Sequence, residues 1–200
     1  MSHDLEDLRN KPFSGHLEKQ YGKTLPLIAY VILVIELVAG AQVLYHYEGI
    51  LKAYPNLGPT LLGAISAVLA QSITQMFKKK HSNNKLFKFI CWGALNGMVS
   101  TIWIDFLVNS MDSVVLQVAL DQSIGAPFFQ LLFTLLSMAW DNETASGPSP
   151  KAVYFKSLRY SFCFWPFMSV AMFCFVPDNM MFFFNCFVNF VWNMILCKLG

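Results

Sequence analysis

The stretch FCFWPFMSVAMFCFVPDNMMFFFNCFVNFVWNMILCK, from Phe162 to Lys198, decides how this chain is read. Its aromatic runs are broken at Trp165-Pro166 and Val176-Pro177, and Asn185, Asn189 and Asn193 then follow in an otherwise apolar segment. Asparagines four residues apart drift by only about 40° per step around a helix, so the three form one polar stripe. A polar stripe in an oily helix requires partners inside the protein, because hydrocarbon offers none.

The surrounding composition explains why the helix is oily. Of the 200 residues 56% are hydrophobic and 13% charged, where a soluble domain carries roughly 25% charge. The apolar residues fall into blocks of about 20, the length that crosses a hydrocarbon core of roughly 30 Å as a helix. The expected fold is therefore all-α: a polytopic transmembrane bundle of about six spans, at 25–45, 56–77, 86–108, 113–140, 158–176 and 179–199.

Charge placement sets the expected topology. With six spans, 13 of the Lys and Arg residues fall on one side and only Lys52 on the other, as the positive-inside tendency requires. Removing the first span would spoil this to nine against five. Both termini are therefore expected on the more positive side, with Lys78, Lys79, Lys80, Lys85 and Lys88 as the densest basic cluster.

Several classes of function are not expected. A net charge of +2, with basic residues lying between apolar blocks, does not suggest nucleic-acid binding. The five cysteines lie in apolar segments without a CxxC pair, so they read as reduced. The histidines are scattered, and neither a metal site nor a cofactor is expected. Phosphate loops, serine elbows and Cys-His arrangements do not stand out, so an enzyme is not expected. The first 24 residues begin with acids and resemble neither a secretory nor a mitochondrial targeting peptide.

The polar residues within the spans carry the functional reading. Glu36, near the middle of the first block, should face other helices. Gly63, Ala67 and Ala70 in the second block, and Gly93 with Gly97 in the third, favour close helix contact. Gln71 and Gln75 stand one turn apart and read as interhelical anchors or as pore lining. In the fourth block, Pro127 frees the carbonyl of Ser123 and bends the chain beside Asp121-Gln122. Asp121 is thus either a functional carboxylate or a structural anchor. Asp141 to Lys156 reads as a polar loop within one membrane domain, and Asn142-Glu-Thr144 in it matches a glycosylation sequon.

Taken together, the order Trp165-Pro166, Val176-Pro177, Trp192-Asn193 and Leu196-Cys197 resembles the closing signature of the family of peroxisomal membrane protein twenty-two and the mitochondrial Mpv-seventeen and Sym-one proteins. The likeness spans roughly Tyr47 to Cys197. It includes Asp121-Gln122 with Pro127, then Gly97, Trp103 and Leu107, Phe173, and Pro55 with Gln75. The chain departs from the family pattern at Gln71, Met98, Thr101, Ile104, Gln117, Ser169, Met172 and Met181, which thins the polar set.

Set against this family, the chain divides into a polar tail over 1–24, the apolar span over 25–45, which the resemblance implies is an addition to the family core, and a single family membrane domain over 46–200. It further implies a weakly selective, regulated pore for small solutes in a peroxisomal or mitochondrial inner membrane. The alternative is a non-conducting scaffold or assembly protein of the same membrane. For a pore, Gln75, Asp121, Gln122, Asn185, Asn189 and Asn193 are the expected lining. Gly97, Trp103, Pro127, Trp165, Pro166, Val176, Pro177 and Trp192 are the expected hinge and packing residues. The expected partners are membrane lipid, small solutes and a second copy of the chain, with no nucleic acid.

Overall fold

A computed structural model of the chain describes residues 27–141 and 149–199. The polar tail over 1–24, the Asn142 sequon and the side chain of Cys197 lie outside the described residues. The described chain is helical apart from short links: α1 (Leu27–Tyr45), α2 (Tyr47–Ala53), α3 (Leu57–Phe77), α4 (Asn83–Ser110), α5 (Val114–Leu120), a π turn (Asp121–Gly125), α6 (Ala126–Asp141), α7 (Pro150–Phe175) and α8 (Asp178–Leu199). Among these residues five spans are long and apolar enough to cross a membrane, namely α1, α3, α4, Val114–Trp140 and α7. The remaining long helix, α8, has 22 residues, or about 33 Å at 1.5 Å per residue. It packs chiefly on α3. The architecture is the expected polytopic helical bundle.

Two links differ from their sequence reading. The segment after His46, expected as a plain polar link, forms the short helix α2. α7 begins at Pro150, inside the expected polar loop. Its start is a local device that hydropathy does not register: the Ser149 hydroxyl accepts a hydrogen bond from Ala152 N at 3.3 Å, and Pro150 occupies the first turn. α7 ends where Val176, preceding Pro177, is extended at φ −99°, ψ 125°.

The lysine end of α3 is closed by a Schellman motif. Lys80 N donates to Gln75 O and Lys79 N to Met76 O. Lys79 takes the left-handed conformation this motif requires, at φ 48°. Gln75 secures the same turn from the side, accepting from Ser82 N at 2.8 Å and donating to Ser82 O at 3.1 Å.

The most extensive helix contact is α3 against α4. It is made at glycine: a Cβ added to Gly63 would strike the Gly93 carbonyl, and one added to Gly97 would strike the Pro59 carbonyl. The two main chains therefore touch directly, as small residues permit in a bilayer. α1, by contrast, buries only Ala29, Glu36 and Gly40. Glu36 turns inward, as its sequence position requires, and accepts a 2.8 Å hydrogen bond from Ser72 on α3. The outward faces are apolar, with Ile35, Val38, Phe167 and Phe187 all exposed, the inverse of a soluble surface.

Two apolar clusters hold the bundle at different depths. Near the links joining α4 to α5 and α7 to α8, Ile104, Leu107, Met172, Phe173 and Met181 pack together. Nearer the lysine end, Ala67, Phe89 and Trp92 pack with Leu132, Phe133 and Leu136. Lys88 lies over this second cluster, its Nζ 5.9 Å from the Phe133 ring centre.

Candidate functional site

Between the two apolar clusters lies an internal cavity of about 50 Å³. It shares Ile104 and Met172 with the first cluster and Trp92 with the second, so it lies where the two apolar clusters meet. Its volume suffices for a few waters, since one water needs roughly 10–15 Å³ measured this way. The polar groups on its wall are Asn96, Ser100, Asp121, Gln130, Asn185 and Asn189.

Asp121 is positioned by the π turn. Ala126 N–H reaches back five residues to Asp121 O, widening the helix immediately before Pro127. The bend expected at this proline thus takes the form of a widened turn. Gly125 lies within it because two groups converge there: a Cβ would sit 2.8 Å from Trp103 Nε1 and 2.9 Å from Asp121 Oδ1. The missing side chain lets the Trp103 indole approach and donate to Asp121 Oδ1 at 2.9 Å.

The second carboxylate oxygen is also engaged. Asp121 Oδ2 accepts from Ser169 Oγ and, at 3.1 Å, from Gln122 Nε2. Gln122 Nε2 also lies 2.8 Å from Ser169 Oγ. One carboxylate therefore ties α4, the π turn and α7 together. Hydrogen bonds gain strength where water is excluded.

The asparagine stripe of α8 divides by depth. Asn189 Nδ2 donates to Asn185 O at 2.9 Å and to Asn185 Oδ1 at 3.1 Å, and both side chains face the cavity. Asn193 is only 2% exposed and does not line the cavity, and its Oδ1 has no partner among the described residues. Trp192 intervenes, stacked on Phe164 at 5.4 Å and edge-on to Trp165 at 6.1 Å between ring centres. Pro166, inside α7, removes the donor that would serve the carbonyl four residues back. Pro177 O, beyond the helix end, accepts from Met180 N at 2.8 Å to open α8.

Of the residues expected to line a pore, Asp121, Asn185 and Asn189 meet at the cavity. Gln122 stands behind Asp121, Asn193 lies deeper, and Gln75 is spent on the Ser82 turn. Among the hinge and packing residues, Trp103, Trp165 and Trp192 form cavity wall, Gly97 belongs to the α3–α4 contact, and Pro127 follows the π turn. Sequence reasoning missed Asn96, Ser100 and Gln130. The available signal was a four-residue polar spacing in otherwise apolar helices, at Asn96-Ser100 and Gln130-Thr134, like that of Asn185-Asn189.

These features define a multi-pass helical membrane protein with a small, mostly apolar cavity in the bundle onto which several polar side chains face. A curated protein of Dictyostelium discoideum, PXMP2/4 family protein 3, is 28% identical to this chain over 152 residues, covering 70% of this chain and 78% of that protein. The chain is thus a distant homologue of that protein, in agreement with the resemblance carried by its closing tryptophans and prolines. No protein-family model matches the chain, and no solved structure matches it.

Proposed function

We propose that the chain forms a narrow, gated path for small polar solutes across an organelle membrane, peroxisomal or mitochondrial inner. The observation that carries this reading is the cavity at membrane depth, where Asp121, Asn185 and Asn189 from two separate helices face one space. A bundle serving only as an anchor gains nothing from polar groups around a void, because each costs desolvation without packing in return. The apolar clusters that adjoin the cavity would form the barrier of a closed state. The π turn and the interior Pro166 are the places where α5, α6 and α7 can repack to open it. The chemistry is passage rather than catalysis.

The second reading, a non-conducting scaffold, draws on the Asp121 knot, which binds three elements together and would serve a rigid bundle equally well. Purified protein in liposomes separates the two. A path predicts uptake of urea or glycerol above that of protein-free vesicles, reduced by Asn189→Leu. Uptake equal to empty vesicles, from protein that remains folded, supports the scaffold and ends the path.

A further inference from the structure

Charge on the described residues is divided between the two ends of the bundle. Where α3 passes into α4, Lys78, Lys79, Lys80 and Lys85 are exposed, and no Asp or Glu occurs in the sequence between Glu48 and Asp105. Of the described acids only Asp141, at the end of α6, lies at this end. At the opposite end the exposed acids Glu48, Asp112 and Asp178 stand in or beside the links, against Lys52. An anion in the membrane therefore meets an attractive potential at one face and a repulsive one at the other.

The lysines stand on a fixed frame. The Schellman motif sets Lys79 in its left-handed conformation, and Gln75 holds both the N–H and the C=O of Ser82. The Trp140 indole ties the end of α6 to the start of α4, donating to Asn84 at 2.9 Å. A turn already set in one conformation binds without the cost of ordering it.

The rings beside the lysines show what this face meets. Phe77, the last residue of α3, is 75% exposed, and Phe87, between Lys85 and Lys88, is 61% exposed. The spans Leu57–Phe77 and Val114–Trp140 both end here. Tryptophan at a span end marks the boundary between acyl chains and head groups, so the lysines that follow Phe77 lie at head-group depth. A soluble phosphate uses the lysines alone. A phospholipid uses both features, its phosphate against the ammonium groups and its chains against the phenyl rings.

We infer that the α3–α4 turn is a binding site for an anionic phospholipid, its head group held by Lys79, Lys80 and Lys85 and its acyl chains by Phe77 and Phe87. The site is independent of whether the bundle conducts.

Phosphatidylglycerol and phosphatidylcholine carrying the same photoreactive acyl chain test the site. Each is added in trace to phosphatidylcholine vesicles holding the full chain, and labelling of the segment from Phe77 to Phe87 is read by mass spectrometry after illumination. The expected labelling by phosphatidylglycerol is about fivefold that by phosphatidylcholine, and the excess falls as salt is raised to about 1 M, where the screening length is about 3 Å. Potassium phosphate at matched ionic strength should lower it no more than potassium chloride does. Lys79→Gln, Lys80→Gln and Lys85→Gln together should bring the two lipids level, whereas Lys52→Gln, at the other end, should leave the ratio unchanged.

The comparison of the two lipids uses the unaltered protein and does not depend on folding of a variant. Equal labelling by both lipids overturns the inference and leaves the lysines to an acidic protein segment. Displacement by phosphate beyond that by chloride overturns it in favour of a soluble anion. An unchanged ratio in the folded triple variant overturns the assignment of the lysines.

Discussion

Replacing Gly63 by alanine tests the claim that direct main-chain contact between α3 and α4 organises the bundle. A Cβ at this position would lie 2.8 Å from Gly97 Cα and 3.0 Å from Gly97 N, besides striking the Gly93 carbonyl, where ordinary contact begins at 3.4 Å. The obstacles are backbone on both sides, so no rotamer change relieves them. The helices must part, and a gap of 0.5–1 Å already forfeits about a quarter to a half of each van der Waals well.

Overpacking of this kind costs about 3 kcal/mol at the upper end of its usual range. The gain in helix propensity from glycine to alanine offsets about 1 kcal/mol. The net expectation is a loss of about 2 kcal/mol. Gly49, in α2, provides the control, because a Cβ there meets nothing within 4 Å. Gly49→Ala should retain only the propensity gain, about 0.5–1 kcal/mol. SDS-driven unfolding in mixed micelles, followed by far-ultraviolet circular dichroism and tryptophan emission, measures both variants. Stability of Gly63→Ala equal to the parent, or a loss in Gly49→Ala as large as in Gly63→Ala, refutes the contact.

Three further outcomes are expected. Asp121→Asn replaces one acceptor oxygen of the knot with a donor facing Ser169, Gln122 or Trp103, and should lower stability by about 2–3 kcal/mol in the same assay; an unchanged midpoint would remove the knot's structural role. Lys79→Gly relieves a left-handed residue that glycine adopts freely and should raise stability by about 1 kcal/mol, whereas a loss would argue against the Schellman turn. Ser72→Ala removes the hydroxyl bonded to Glu36 and should loosen the docking of α1. Cysteines placed at Gly40 and Ile65, which are in contact across that interface, should cross-link more slowly in Ser72→Ala, and equal rates would show that the bond does not hold α1.

The places where the sequence reading and the structure diverge share a cause. Hydropathy is a sum along the chain, so it locates spans but overlooks helix starts made by single side chains, as at Ser149-Pro150. Gln75 looked like lining because its position on the helix face was known but its partner was not. That partner is the Ser82 main chain, seven residues on and around a turn. Asn96, Ser100 and Gln130 were overlooked although Asn96-Ser100 and Gln130-Thr134 repeat the four-residue polar spacing of Asn185-Asn189, because that spacing does not say which neighbouring helix the polar face meets.

The sequence by itself determined a membrane-spanning all-α chain, the ends of most helices, the inward turn of Glu36 and the closing family signature. All of these depend on local composition or on spacing along one helix. Only the tertiary structure decided which glycines meet, that Asp121 closes a three-element knot, and that polar residues from α4, the π turn, α6 and α8 line one cavity. Those outcomes depend on how each helix is rotated and how deeply it is set against its neighbours. Packing of whole helices fixes both, and no single segment encodes either.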